Sequence, residues 1–115
     1  MTDAEVNDDA DDLVFRALAS ATRRRMLDEL KASARTTGEL CAALPHLDRT
    51  TVLQHLRVLE NAALVTGRRI GRERHLALAP LPIKRLHDRW IGEYARAAVN
   101  LLDELDRDED GPQGR

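Results

Sequence analysis

A single cysteine, Cys41, leaves the chain unable to close a disulfide within itself, so a disulfide-stapled fold is excluded. Aromatic residues are only 3% of the 115 positions, with one Phe, one Tyr and one Trp, so any core must be mainly aliphatic. No stretch approaches the roughly 18 consecutive apolar residues that a membrane-spanning helix needs. The opening residues, Met1-Thr2-Asp3-Ala4-Glu5, are acidic and polar where a secretory leader begins basic and apolar. These absences point to a reduced, cytoplasmic setting with no membrane partner. The chain also lacks a Gly-rich phosphate loop, a G-x-S-x-G elbow, an H-E-x-x-H pair and any Cys/His pair with an orienting partner. An enzyme is therefore not expected, nor is a cofactor. The length suits one domain with a modest core.

What is present is charge, unevenly placed. The net charge of −2 conceals three regions. Residues 1–12 carry six acids and no base, and residues 101–115 carry six acids against two bases. Residues 13–100 carry sixteen bases against eight acids. A basic body between acidic ends suits a polyanionic partner, double-stranded DNA above all. The acidic ends are expected to be disordered tails, 1–11 and 107–115, flanking one domain at 12–106. They can aid solubility or compete for the basic face and so lower non-specific DNA affinity.

Hydrophobic spacing predicts a helix from Asp12 on Leu13, Val14, Ala17 and Leu18, and a second on Met26, Leu27 and Leu30. Ser20 or Thr22 would cap the second. Thr36 and Glu39 form a capping box ahead of Leu40, Ala43 and Leu44, and Pro45 ends that short helix. Asp48 then caps a helix of about four turns over residues 49–62, with Val52, Leu56, Leu59 and Ala63 recurring at four, three and four. Leu64-Val65-Thr66 and His75-Leu76-Ala77-Leu78 read as two strands, with Gly71 near the tip, making a hairpin over 65–78. Pro82 opens a last helix running to Leu105. The fold class is mainly α with a small β-hairpin: a winged helix-turn-helix of about five helices plus the wing.

On the helix at 49–62, inward Val52, Leu56 and Leu59 place Thr50, Gln54, Arg57 and Asn61 on the opposite side, with Thr51 and Val58 beside them. Hydroxyls, an amide and a guanidinium are the groups that read base edges in a major groove. Arg49, at the helix start, would lie close to the DNA. The hairpin carries Arg68, Arg69, Arg72 and Arg74 against one acid, Glu73. These suit phosphates or a narrow minor groove. The plainer alternatives are a solvated helix face and a hairpin edge protected by charge. Occurring together, turn, polar helix and arginine hairpin favour DNA binding.

The last helix is apolar on more than one side, through Trp90, Ile91, Tyr94, Ala95, Ala98, Leu101, Leu102 and Leu105. A second copy of the chain would bury the excess, with Leu13 and Val14 joining the seam. The expected dimer surface is thus Leu13, Val14, Trp90, Ile91, Tyr94, Ala98, Leu101, Leu102 and Leu105. A two-fold homodimer presents two reading helices one DNA turn apart, which matches a palindromic operator.

The run Val14-Phe15-Arg16-Ala17-Leu18-Ala19-Ser20-Ala21-Thr22-Arg23, the run from Gln54 through Val65 and Arg69-Ile70-Gly71-Arg72 together resemble the ArsR/SmtB repressors, dimeric bacterial winged-helix proteins. The resemblance covers about residues 12–105. It implies a dimeric repressor in which His55 makes a phosphate or helix-packing contact. The family often has Ser where this chain has Leu53 and Gly where it has Ala63. Its metal sensors carry a Cys-x-Cys pair, of which Cys41 supplies one member, or ligands on the last helix, where His87 and Asp88 have no second histidine downstream. The resemblance therefore implies a branch without metal ligands, and Cys41 is expected to be a small buried residue. Two alternatives keep the fold: a metal- or thiol-responsive sensor, and a protein-interaction module that no longer binds DNA. No residue names an effector.

Overall fold

The computed structural model describes residues 3–110, and the side chains of 8–108. The chain divides into two compact units, Met1–Ile83 and Lys84–Arg115. In the first, α1 (Asp3–Leu18) and α2 (Ala21–Ala32) precede a short strand, β1 (Arg35–Thr36). Then come α3 (Thr37–Ala43), α4 (Arg49–Asn61) and the hairpin of β2 (Val65–Ile70) and β3 (Glu73–Leu78). α5 (Leu81–Leu86) leads across to the second unit, a π-helical segment at His87–Ile91 and α6 (Gly92–Asp110).

The caps explain where the helices begin. Ser20 Oγ accepts from the Arg23 N–H at 3.3 Å, so Ser20 and not Thr22 caps α2. Thr36 Oγ1 accepts from the Glu39 N–H and Glu39 Oε1 accepts from the Thr36 N–H, completing the reciprocal box on α3. Asp48 Oδ1 accepts from the Thr51 N–H at 2.7 Å at the start of α4. Those bonds hold the carboxyls of Glu39 and Asp48 below the usual carboxylate range. Each cap satisfies a backbone donor that the helix itself cannot, worth about 1 kcal/mol.

The core of the first unit is aliphatic, as the scarcity of aromatics requires. Val14 and Ala17 of α1 join Met26, Leu27 and Leu30 of α2, Leu40 of α3, and Val52, Leu56 and Leu59 of α4. Leu44, Ala62, Leu64, Val65 and Leu76 complete it. A fully buried leucine contributes about 1.5–3 kcal/mol, so this set is the main source of the unit's stability. The sheet order is β1-β3-β2, antiparallel throughout, with Arg35 opposite Leu76 and Arg68 opposite His75.

Several expectations are corrected. α1 begins at Asp3, so residues 3–11 are helical where a disordered tail was expected. Val14 is core and not seam: only 2% exposed, it packs inward while Leu13 beside it is exposed. β1 was not foreseen, because two residues are too few to show alternation. The strands of the wing are longer than the segments 64–66 and 75–78 expected for them, and meet at the two-residue turn Gly71-Arg72. Gly71 takes φ +63°, the left-handed region that glycine enters without steric cost.

The last helix is also interrupted. The Gly92 N–H bonds to the His87 carbonyl, an i→i+5 bond that widens the turn. A Cβ at position 92 would lie 3.0 Å from that oxygen, so glycine admits the close approach. α6 then continues to Asp110, which makes residues 107–110 helical where a tail was expected. Gly111–Arg115 lie outside the described residues.

Candidate nucleic-acid interface

α4 places its polar residues as the spacing predicts. Val52, Leu56 and Leu59 are buried, while Arg49, Thr50, Gln54, Arg57 and Asn61 are exposed on the other side. Thr51 is half-buried, its N–H engaged by the Asp48 cap. Leu53, where the resembled family often has serine, is exposed.

The wing divides its arginines between two faces. Side chains alternate along a strand, and Arg69 stands opposite Arg74 while Arg68 stands opposite His75. Arg69, Arg72 and Arg74, with the acid Glu73, join Thr36, Arg49 and Leu53 around a cleft of about 400 Å³ between the starts of α3 and α4 and the hairpin. Arg68 lies on the other face, beside Thr66, His75 and Ala77. The structure thus brings together Arg49, Arg69, Arg72 and Arg74 with the exposed start of α4, and separates Arg68 from them. Thr36, legible as a cap, also lines this cleft, a second placement that the sequence did not suggest.

Two expected contact residues have side-chain partners within the chain. The Arg74 guanidinium is ion-paired with Glu60 on the last turn of α4, which raises its already high pKa. His55 is half-buried, its Nδ1 3.2 Å from the Arg23 guanidinium. The Arg23 contact is of the helix-packing kind, one of the two roles that the resemblance implied for His55. Burial and the Arg23 charge both lower the imidazole pKa. Glu60 and Arg23 were missed because their partners lie fourteen and thirty-two positions away. The one available signal was an acid on the core side of the reading helix, ahead of an arginine-rich hairpin.

In the second unit, Trp90, Tyr94, Leu101, Leu102 and Leu105 are each 53–60% exposed, and Ile91 and Ala98 are exposed as well. The rings of Trp90 and Tyr94 lie 4.9 Å apart, tilted at 50°. Val99, not among the expected residues, is equally exposed. Asp88 is held by Lys84 at 2.5 Å, and its carboxyl pKa is lowered by that bond and by His87. Cys41 is only half-buried, against the expectation of burial. Among the described residues no three His, Cys, Asp or Glu side chains converge in the manner of a metal site, and no helix is long and apolar enough to cross a membrane.

Residues 18–68 match a family model described as a helix-turn-helix domain. The chain is 40% identical over 86 residues to the uncharacterized HTH-type transcriptional regulator YuzN of Bacillus subtilis, spanning 70% of this chain and 94% of that protein. It is 44% identical over 69 residues to the HTH-type transcriptional repressor SmtB of Mycobacterium tuberculosis, spanning 60% of this chain and 50% of that protein. Among solved structures, an ArsR-like transcriptional regulator from Rhodococcus sp. RHA1 superposes with a TM-score of 0.64 at 26% identity, covering 80% of this chain and 89% of the other.

Proposed function

The chain belongs to the ArsR/SmtB family of winged helix-turn-helix transcriptional regulators, and from that premise we propose that it is a cytoplasmic homodimeric repressor of a palindromic operator. α4 enters the major groove and reads bases with Thr50, Gln54 and Arg57, assisted by Thr51. Arg49, Arg69 and Arg72 hold phosphates on either side, and Arg68 meets backbone or minor groove from the outer face of the wing. Leu53 offers an apolar contact for a thymine methyl group. The protein carries out no reaction of its own.

The observation that carries this reading is the shared cleft. The exposed start of a well-capped α4 and the inner wing arginines face one space, so a single duplex could engage both. The dimer follows from the second unit. A stripe of large apolar side chains more than half exposed is costly in water, and a second copy related by a two-fold axis would cover it. Leu13 is the remaining exposed candidate from α1. Repression then consists of occupying a promoter.

The test is a fluorescence-anisotropy titration against palindromic fragments of the protein's own promoter region, at two salt concentrations and with excess competitor DNA. Binding that survives competitor and weakens steeply with salt is expected. No binding even at low salt would overturn the reading and favour a winged-helix module used for protein interaction.

A further inference from the structure

Arg69 and Arg74 stand directly opposite one another on neighbouring strands. Like charges so placed repel, and both belong to the inner face of the wing. Arg74 is ion-paired with Glu60 of α4, and the pair is partly shielded, with side-chain exposures of 40% and 24%. The Arg74 side chain reaches Glu60 across Gly67, where a Cβ would collide with the guanidinium. Glycine at 67 is what leaves that path open. Of the six residues of β2, Val65 alone is buried, while β3 is held by buried Leu76 and by the pairing of β1 with Leu76 and His75. The core and β1 therefore hold the wing as far as His75, and the Arg69–Arg74 pair lies just beyond them.

We propose that Glu60 is a positioning residue for DNA binding: through Arg74 it forms a strut that sets the outer wing at a fixed distance from the reading helix. The strut also neutralises one of the two opposed arginines, leaving Arg69 as the one directed at a phosphate. The inference rests on the DNA-binding reading above. It goes against simple electrostatics, which makes it testable. An acid beside a DNA-binding face repels phosphates, so its removal ought to tighten binding if it had no other role. A strut predicts the reverse, because an unheld wing must be ordered when DNA binds.

The experiment titrates the full chain and its Glu60→Gln, Arg74→Ala, Gly67→Ala and Glu60→Gln/Arg74→Ala variants against the same palindromic promoter fragment, across a salt series, with a thermal melt of each. Glu60→Gln is expected to weaken specific binding on the order of fivefold, with the salt slope unchanged. The double variant should bind no worse than Arg74→Ala, because both changes remove one device. Gly67→Ala, which keeps both charges and displaces only the guanidinium, should weaken binding similarly. It carries the test if Glu60→Gln fails to unfold cooperatively. Unchanged or tighter binding by Glu60→Gln in a folded protein overturns the strut. So does a salt slope about one unit shallower in Arg74→Ala, which would make Arg74 itself a phosphate contact. If the unaltered chain shows no specific binding, the DNA-binding reading falls, and the strut with it. Normal binding by the unaltered chain with an indifferent Glu60→Gln removes the strut alone.

Discussion

Arg23 joins three segments of the first unit through His55: its guanidinium lies 3.2 Å from His55 Nδ1 on α4 and donates to the carbonyls of Ala17 and Arg16 at 2.9 Å. Those carbonyls belong to the last turn of α1, where the Ala19 N–H also bonds to the Arg16 carbonyl and Arg24 donates to that of Leu18. Arg23 therefore shares in closing the end of α1 and ties it to the reading helix at His55. Replacing Arg23 with methionine keeps much of the apolar stem and removes the donors. The expected loss is about 1–2 kcal/mol of stability, read from chemical denaturation. An unchanged midpoint would mean that water replaces Arg23 at no cost.

The same pair carries a pH dependence. Arg23 is a donor only, so His55 Nδ1 must be unprotonated to accept from it. Burial and then the Arg23 charge depress the imidazole pKa in the folded chain. As pH falls below about 6.5, the unfolded chain takes up this proton before the folded one does. The stability contributed by neutral His55 is thus present above that pH and is lost as pH falls through the window down to the lower folded value. Melting temperatures at about pH 7.5 and about pH 5.5 should fall less in His55→Gln than in the unaltered chain. Equal losses would show that His55 takes its proton as easily folded as unfolded.

Ala63 offers a gain of stability. α4 ends in a Schellman turn, with the Leu64 N–H bonded to the Leu59 carbonyl at 3.0 Å and the Ala63 N–H to the Glu60 carbonyl at 2.9 Å. This places Ala63 at φ +61°, where a Cβ is crowded and glycine is not. Ala63→Gly should stabilise the chain by roughly 0.5–1 kcal/mol, with the melting temperature rising accordingly. A lower melting temperature would mean that glycine's extra freedom in the unfolded chain outweighs the relief.

What could be read in advance follows from the range of each interaction. The capping box of Thr36 and Glu39 and the Asp48 cap span three residues, and the sequence displays them directly. The inward face of α4, on Val52, Leu56 and Leu59, is equally plain, but Ala63, expected to continue it, lies past the helix end and is exposed. On the helix with Leu13, Val14, Ala17 and Leu18, periodicity announces an apolar face but not what covers it, and Val14 is buried by the core of its own unit where the pattern alone allows a partner. Within the candidate interface, the bases along 49–74 were visible, but their partners were not. Glu60 meets Arg74 only because the turn after α4 and the register of β2 with β3 bring them together. The strand alternation that parts Arg68 from Arg69 depends on the same register. The π-helical segment depends on a carbonyl approaching Gly92, a local event that leaves no pattern in hydrophobicity.

The two classes of contact residue should separate in binding experiments. Gln54→Ala removes an amide from the outer side of α4 and leaves the charge unchanged. It should cost about 1–3 kcal/mol on the best operator and little on competitor DNA, relaxing specificity. Arg72→Ala removes an exposed cation at the wing tip, and should weaken operator and competitor alike while lowering the salt slope by about one. If Gln54→Ala weakened both DNAs equally, α4 would be a phosphate-binding element and the reading of bases would have to be sought elsewhere.

Leu13 and Val14 are neighbours on α1 with opposite surroundings, and the dimer hypothesis treats them oppositely. Leu102 on α6 is 60% exposed and Leu13 is 41% exposed, whereas Val14 is 2% exposed. A glutamate at an exposed position leaves the core of its own unit intact but places a charge in any seam that covers it, where desolvation is costly. Leu102→Glu should therefore shift the protein from dimer to monomer in sedimentation velocity and abolish tight operator binding, while each chain remains folded. Leu13→Glu should weaken the dimer if α1 contributes to the seam. Val14→Ala should do the reverse: it lowers stability by about 1–2 kcal/mol through lost packing and leaves the association state unchanged. A Leu102→Glu protein that remains dimeric would show that the exposed stripe of α6 is not the surface on which two copies meet.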